Sequence, residues 1–341
     1  FIAQEVREIM AAMGVRRLED LIGRTDLLEV IDGVTAKQNR LDLNPILAKP
    51  EAGDHTKMFC SEEANSPVDK GDLNQLLLTD LTTAVQNKSG GVFNYPIRNT
   101  DRSVGAIISG LIAKHHGNRG MSEEPIKLNF TGTAGQSFGV WNAGGLEMTL
   151  IGDANDYVGK GMTDGKLVIH PPMGSSFKSN ESVIAGNTCL YGATGGKLFA
   201  AGLAGERFAV RNSGAIAVVE GIGDNGCEYM TGGIVAVLGR TGVNFGAGMT
   251  GGMAFIYDEN DVLPRNINEE SVIYQRLQSS AWEEELKALV DEHYAKTGSP
   301  MAEKLLAHWE MERGHFWQIC PKEMINKLAH PLSDEEALET A

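Results

Sequence analysis

The sequence predicts a mainly β fold, a right-handed parallel β-helix that is rich in glycine and flanked by N-terminal and C-terminal α-helical segments. Two observations support this prediction. Of the 41 glycines in the 341 residues, 28 fall between Gly132 and Gly252, and this region divides into rows about 20 residues long. A period near 20 that leaves no room for a helix between strands is typical of a solenoid in which each row forms one coil.

Each row contains strand residues, a glycine corner, more strand and another corner. Glycine suits such corners because it accepts a positive φ and close backbone approach. Cut after its glycines, the region gives the rows 126–145, 146–165, 166–187, 188–205, a short piece 206–214, 215–233 and 234–252. Alternation along the strands predicts which side chains point inward. The predicted inward positions are Leu146, Met148, Leu167, Ile169, Ile216, Val218, Val235 and Val237.

Two complete G-x-G-x-x-G motifs lie in these rows, at residues 221–226 and 246–251. A dinucleotide site would need a helix after the glycines and an acidic residue about 20 positions later. Gly232 and Gly233 would stop a helix after the first motif, and residues 234–252 contain no acidic residue. We therefore predict that both motifs are corners of the solenoid.

Helical periodicity predicts the first flanking segments. The stretch FIAQEVREIM places apolar residues on one face, and Gly14 suits the end of the helix. The face consists of Phe1, Ile2, Val6, Ile9 and Met10. A second helix is predicted over residues 73–88, with Asp72 as a possible N-cap.

Two further flanking segments are predicted from their residue patterns. The stretch SVGAIISGLIAKHHG is apolar and is predicted to be an early strand or coil that ends at Gly117. After residue 268, helical periodicity recurs on both sides of a break at Gly298, Ser299 and Pro300. This pattern predicts a helical tail.

Charge excludes several classes of partner. The net charge is −15 and the pI is about 5.0, whereas binding to nucleic acid or anionic membranes needs basic patches. We expect neither partner. No apolar run has the length of a membrane span and no secretion signal is present, so a cytoplasmic location is expected. The acidic excess after residue 259 is interpreted as a solvated helical surface, in preference to an acidic docking face.

Motifs that resemble phosphate or calcium sites are interpreted as turns. Residues 154–161 come near a phosphate-binding loop, but Ala154 replaces a required glycine and Gly161 replaces the Ser or Thr that binds magnesium. Asp153 and Asp156 lack the repeat of calcium-binding solenoids, and Asp is a common turn former.

Nucleophiles and metal ligands are also too scattered to predict a site. The four cysteines, Cys60, Cys189, Cys227 and Cys320, have no metal spacing and are predicted to be reduced thiols, with Cys189 and Cys227 on strands. His115 and His116 lack a third ligand. Ser175 and Ser176 have His170 nearby but no nucleophile elbow. The sequence therefore predicts no catalytic, cofactor-binding or metal-binding residue.

The glycine-rich rows carry a family resemblance. The stretches GNTCLYGATGGKLFAAG, FAVRNSGAIAVVEGIGDNGCEYMTGG and LGRTGVNFGAGMTGG closely resemble the C-terminal β-helix domain of the large subunit of bacterial glutamate synthase. The opening stretch FIAQEVREIMAAMGVRRLEDLIGRTDLL looks like the end of the FMN-binding synthase barrel of that subunit. The resemblance runs along essentially the whole chain.

This resemblance implies a domain organisation. Residues 1–24 would be the closing helices of the barrel, 25–124 a connecting segment with the first coils, 125–267 the β-helix and 268–341 the helical tail. The glutaminase domain, most of the barrel and the cysteines of the iron–sulfur cluster would all precede Phe1. Hence no cofactor is expected in this segment.

The resemblance also implies a function for the parent enzyme. The family makes two glutamates from 2-oxoglutarate and glutamine, with reducing equivalents that reach FMN through iron–sulfur clusters. This segment would be architectural and inactive alone, holding the glutaminase and synthase domains in place. Expected partners are the other domains of the large subunit and the small electron-transferring subunit, in an oligomer. The electron donor, NADPH, NADH or ferredoxin, stays open.

Two alternatives belong to other classes of protein. One is a free-standing glycine-rich β-helix module that docks another protein or subunit. The other is a solenoid enzyme of the acyltransferase or polysaccharide-lyase kind, although the rows lack hexapeptide periodicity.

Overall fold

The computed structural model describes residues 1–49, 57–65 and 68–335, and the chain forms two compact units, Phe1–Asp69 and Lys70–Ala341. The first unit contains short helices. They are α1 (Ile2–Ala12), α2 (Asn44–Leu47) and the 3-10 helices Leu18–Leu21, Thr25–Leu27 and Gln38–Arg40. Gly14 follows the end of α1 with a φ of +75°, which confirms the predicted glycine end. Met10 is buried, whereas the other four residues of the predicted apolar face are exposed.

The second unit is built on a parallel sheet. Within the described residues its strands are β1 (Gly91–Ile97), β2 (Ile126–Ala134), β3 (Leu146–Ala154), β4 (Lys166–His170), β5 (Val183–Ala185), β6 (Lys197–Ala204), β7 (Ser213–Gly221), β8 (Thr231–Val237), β9 (Gly251–Tyr257), β10 (Val272–Arg276) and β11 (Phe316–Pro321). They pair in the order β1-β2-β3-β4-β6-β7-β8-β9-β11-β10, and β5 pairs with β3 and β6. Strands β1 to β9 are parallel, whereas β11 is antiparallel to both of its neighbours.

The register of this sheet confirms a β-solenoid of about seven turns. Paired residues are offset by 35 residues from β1 to β2, and then by 20, 19, 31, 19, 18 and 19 residues along the series to β9. The 31-residue coil carries an extension at residues 171–182. Our division into rows was therefore wrong between residues 166 and 214, because glycine spacing does not reveal an extension of this kind, whereas the rows 215–233 and 234–252 agree with the observed coils. Residues 206–214 are an ordinary part of the coil between β6 and β7.

The interior of the solenoid is packed with apolar side chains, including six of the eight predicted inward positions. The prediction was wrong for Ile216 and Val218, which belong to the outer face of the sheet. In β7 the inward residues are Ala215, Ala217 and Val219. Both sides of this strand are apolar, so alternation in the sequence could not determine the face.

Two helices cover the first end of the solenoid. Helix α3 (Asp72–Asn87) confirms the predicted helix, although its N-cap is Gly71. The prediction of a strand after residue 103 was wrong, because α4 (Ala106–His116) is a helix. Ile108 and Ile112 of α4 and Leu77 and Leu81 of α3 are fully buried in the solenoid core. A short segment that is apolar on most sides fits a buried helix as well as a strand.

The C-terminal segment covers the outer face of the sheet. Helices α5 (Ser280–Thr297), α6 (Pro300–Ala307) and α7 (Trp309–Glu312) follow β10. Leu286 and Val290 of α5 belong to one buried apolar cluster with Phe199 and Val218 of the sheet. The prediction of a purely helical tail was wrong for β10 and β11. Among the described residues, none of the helices combines the length and apolar character that crossing a membrane requires.

Candidate functional site

The first glycine motif, Gly221, Gly223 and Gly226, is part of the solenoid wall. The backbone N–H of Ile222 donates to Arg240 O at 2.9 Å, and that of Gly223 donates to Gly205 O at 3.1 Å. These donors are used between coils, and the next element is strand β8. Two of the N–H groups are therefore already paired, and the motif lacks the helix N-terminus that would cradle a pyrophosphate.

Of the two reasons expected for corner glycines, a positive φ and close backbone approach, only the second applies to this motif. None of the three has a left-handed φ. An added Cβ on Gly223 would lie 3.0 Å from the backbone N of Glu206 in the preceding coil. Close approach of neighbouring coils is thus what favours glycine here.

The second motif occupies a different position in its coil. Gly246 and Gly248 have φ values of +74° and +64°, and β9 follows directly. This motif is a corner, as predicted, and it needs the left-handed conformation. The two motifs share a sequence pattern but have different structural causes.

Corners with alternating left-handed residues recur in six coils. Each has positive φ at three alternate residues, which we call the first, middle and last corner positions. The first positions are Ser137, Tyr157, Thr188, Arg207, Asn225 and Asn244; the middle positions are Gly139, Gly159, Leu190, Ala209, Cys227 and Gly246; the last positions are Trp141, Gly161, Gly192, Arg211, Tyr229 and Gly248.

Hydrogen bonds between coils explain this conformation. In the first five of these coils the first and last residues donate to the following coil, as Ser137 N does to Asp156 O at 2.8 Å and Trp141 N to Lys160 O at 2.8 Å. The middle residue donates to the preceding coil, as Gly159 N does to Phe138 O at 2.9 Å. Because these corner N–H groups are already paired with carbonyls, such corners serve to stack coils and are unavailable as anion-binding nests.

Tyr157, Gly159 and Gly161 form one corner, in line with the interpretation of residues 154–161 as a turn. Asp156 directly precedes this corner, whereas Asp153 lies in strand β3, so its prediction as a turn residue was wrong. Asp153 accepts a hydrogen bond from Thr133 Oγ1 at 2.9 Å, and Asp156 accepts one from Asn187 N at 2.7 Å. Both carboxylates thus fix the backbone or a neighbouring coil.

His116, His170 and Ser175, three of the candidate residues from the sequence, are hydrogen-bonded to backbone carbonyls. His116 lies in the last turn of α4, so its predicted position at a strand end was wrong. Its Nε2 atom lies 2.6 Å from Val85 O. His170 contacts Pro171 O at 2.8 Å and Ser175 donates to Pro172 O at 2.7 Å. These partners are backbone carbonyls.

A cavity of about 430 Å³ lies between the extension and the neighbouring coils, where Phe177, Val183 and Asp153 contribute to its lining. Asp153 is the one ionisable side chain among its lining residues. An acid–base pair would need a second titratable group. The cavity therefore suits packing of an apolar group better than catalysis.

The residues present do not fit the cofactors that the family resemblance implies. Cys60 is exposed, Cys189, Cys227 and Cys320 are buried, and the described residues contain no group of three or more His, Cys, Asp or Glu side chains that could hold a metal. An iron–sulfur cluster needs several cysteine thiolates in one place. Cys189 and Cys227 lie in corners, so the prediction of strand positions was wrong. The glycine motifs offer no phosphate site for FMN or NADP.

One buried polar cluster was missed by our sequence reasoning. Glu220 of β7 accepts a hydrogen bond from Ser299 Oγ, and His293 Nε2 lies 3.7 Å from Glu220 Oε1. The side chains of Glu220, His293 and Ser299 are buried. A glutamate within the apolar stretch AIAVVEG was the available signal. The cluster attaches α5 and α6 to strand β7 of the sheet.

An exposed aromatic and cationic surface lies along the corners. Trp141 is 61% exposed and Tyr229 is 55% exposed. Lys160 Nζ lies 5.2 Å from the ring centre of Tyr157 and 5.9 Å from that of Tyr191, within the range of cation–π attraction. This surface has the residue types of a docking site.

Comparison with known proteins gives the family. The profile of the family described as "GXGXG motif" matches residues 72–322. The chain is 49% identical to ferredoxin-dependent glutamate synthase 2 of Synechocystis sp., over 94% of this chain and 21% of that protein. It is 46% identical to the NADPH glutamate synthase large chain of Azospirillum brasilense, over 99% and 22%.

A third relative, the NADH glutamate synthase of Schizosaccharomyces pombe, is 42% identical over 95% of this chain and 15% of that protein. The chain thus spans about a fifth of the length of the relatives that it matches. These matches confirm the resemblance to glutamate synthase large chains, and the match over most of the solenoid shows that the chain belongs to the GXGXG motif family.

Proposed function

We propose that this chain is the solenoid portion of a glutamate synthase and that its role is architectural and non-catalytic. The observation that carries the proposal is the match of 94% to 99% of the chain to about a fifth of the length of glutamate synthases. Two of those relatives are named for different electron donors, ferredoxin and NADPH. A segment common to both suits a role that does not depend on the donor.

The geometry supports a rigid spacer. Seven turns at about 4.8 Å per coil give a rod about 34 Å long. Helices α3 and α4 close one end of its core, and α5 and α6 brace its outer face. The packed apolar interior and the hydrogen bonds at every corner resist bending. Such stiffness suits a rod that fixes the spacing of the domains around it.

In this proposal the parent enzyme carries out the chemistry. It would convert 2-oxoglutarate and glutamine to two glutamates, with FMN and iron–sulfur clusters bound by the polypeptide outside this chain. The solenoid would hold the glutaminase and synthase domains at a fixed separation in a cytoplasmic enzyme. A small electron-transferring subunit, supplied with electrons by NADPH in some relatives, would be a further partner.

The first prediction tests the absence of chemistry in this portion. We expect the purified 341-residue chain to be colourless, to retain no FMN after incubation and gel filtration, and to form no glutamate from 2-oxoglutarate, glutamine and reductant. Absorbance near 450 nm and amino-acid analysis measure these properties. The control is the full-length polypeptide that contains this segment, which should show flavin absorbance and glutamate formation.

Two outcomes separate the parts of the proposal. Stoichiometric FMN binding or glutamate formation by the 341-residue chain would show that the portion is catalytic. A full-length polypeptide that forms no glutamate would contradict the proposed parent activity, whatever the short chain does.

A further inference from the structure

The last corner position differs among coils in a way that the fold does not require. Glycine occupies it in three coils, at Gly161, Gly192 and Gly248, and adopts the left-handed φ without strain. Trp141 and Tyr229 adopt the same conformation, at φ values of +55° and +54°. Glycine is the residue that this φ favours, so the backbone conformation does not explain why two coils carry a large aromatic side chain here.

Contacts within the chain cover only part of each aromatic ring. The Trp141 ring lies over Gly161, and the Tyr229 ring lies over Gly248, where an added Cβ would be 2.8 Å and 2.5 Å from the respective rings. Each aromatic side chain nevertheless remains more than half exposed. Each corner therefore presents a large aromatic surface that no described residue covers.

Unpaired cations lie between these two aromatic residues. Arg211 occupies the last corner position one coil before Tyr229, and it is exposed. In the part of the chain that the structure describes, neither Arg211 nor Lys160 has an ion-pair partner, whereas Arg207 pairs with Glu228 at 3.3 Å. Such unpaired cations on a chain of net charge −15 form a locally attractive site for carboxylates.

We define the corner face as Trp141, Lys160, Tyr191, Arg211 and Tyr229. Trp141 and Tyr229 are four coils apart, which is about 19 Å along the solenoid. Gly192 lies between them, and an added Cβ on it would have no atom within 4 Å. The middle of the corner face is therefore uncovered by other residues.

We propose that the corner face docks an acidic segment of the same glutamate synthase polypeptide, from the part that lies outside this chain. Tryptophan, tyrosine and arginine are the residues that most often carry interface binding energy, and carboxylates complement the unpaired cations. The relatives extend over about five times the length matched here, so such a segment is available. This inference rests on the proposed function.

The test compares side-chain accessibility in two contexts. Hydroxyl-radical footprinting is applied to the 341-residue chain and to the full-length polypeptide, after glutamate formation by the latter has been measured. We expect the oxidation of Trp141 and Tyr229 to slow at least about fivefold in the full-length polypeptide, as for rings buried in an interface core. A photo-crosslinking residue at position 229 should then attach within the same polypeptide, to a segment rich in Asp and Glu.

A triple variant tests the cost that the corner face imposes on folding. Trp141→Gly, Arg211→Gly and Tyr229→Gly introduce the residue that other coils carry at this position. We expect an unchanged or higher Tm for the 341-residue chain, and faster proteolysis of the full-length polypeptide between its domains. The matched control replaces the exposed Met173 and Met311 by Ser and should leave proteolysis unchanged.

Several outcomes would overturn the inference. One is equal oxidation of Trp141 and Tyr229 in both contexts; another is a crosslink to a second copy of the polypeptide or to a separate subunit. Glutamate formation with unprotected rings refutes the docking alone, whereas a full-length polypeptide that forms no glutamate refutes the proposed function.

Discussion

Glycine has three separable roles in this solenoid. At Gly192 it provides a left-handed φ of +62° with open space around it. At Gly223 it provides room for the backbone of Glu206, 3.0 Å from an added Cβ, without a left-handed φ. Gly248 combines a φ of +64° with contact from Tyr229. Glycine thus meets different structural requirements at different positions of the solenoid.

The second prediction is that alanine at these three positions destabilises the chain to different extents. Gly192→Ala should cost about 1–2 kcal/mol from backbone strain, and Gly223→Ala about 1–3 kcal/mol from crowding. Gly248→Ala should cost more than Gly192→Ala because strain and contact combine. Urea unfolding measures these values.

A double variant provides the control for the glycine series. Adding Tyr229→Ala to Gly248→Ala should bring the loss of stability back toward that of Gly192→Ala, because the ring contact is removed. Equal losses for all three single variants would contradict the assignment of separate roles.

At the scale of elements, the outer face of the sheet depends on polar anchors as well as apolar packing. Helix α5 is held by Glu292, which contacts Lys166 at 3.0 Å and Lys197 at 2.5 Å. Ser299 donates to Glu220 and also accepts from Ala302 N at 3.0 Å, so it caps α6 while attaching it to β7. These contacts join elements that are far apart in sequence.

The third prediction concerns the pH dependence of the α5 anchor. Desolvation alone would raise the pKa of Glu292, but hydrogen bonds from Lys197 and Lys166 outweigh it and lower that pKa below the ordinary value of 4.5. A lowered pKa in the folded state gives stability that is present above pH 4.5 and is lost as the pH falls through the folded-state pKa. We therefore expect Tm to decrease across this acidic range.

The lysine variants provide the matched control. Lys166→Met with Lys197→Met should lower Tm at neutral pH and reduce its decrease between pH 4.5 and more acidic values, as measured by calorimetry. If the double variant loses as much stability on acidification as the unmodified chain, Glu292 is not the group responsible.

At the scale of the whole molecule, the second unit encloses packed apolar side chains and also buries three cysteine thiols. Burial raises the pKa of the Cys189 thiol to about 12 and that of Cys320 to about 11, and it raises the pKa of Cys227 further. Cys60, in the first unit, is exposed. Reactivity of the thiols therefore reports on the packing of the solenoid.

The fourth prediction is that one of the four thiols reacts in the native chain. We expect one equivalent of thiol per chain to react with Ellman's reagent at pH 8, and four equivalents in guanidinium chloride without reductant, because the thiolate is the reacting form. Cys60→Ser should abolish the native reaction. Rapid reaction of two or more native thiols would show that the core opens readily.

The sequence by itself determined the β-solenoid, its period and the absence of a dinucleotide fold around Gly221 and Gly246, because glycine spacing and strand alternation are local properties. Tertiary structure decided the register between residues 166 and 214, the helical state of α4 and the outward face of Val218. Each of these depends on which surface a segment buries, and an apolar stretch is compatible with several. The Glu220 cluster and the corner face likewise join residues that are far apart in the sequence. Only the packing of the coils and helices brings these residues together.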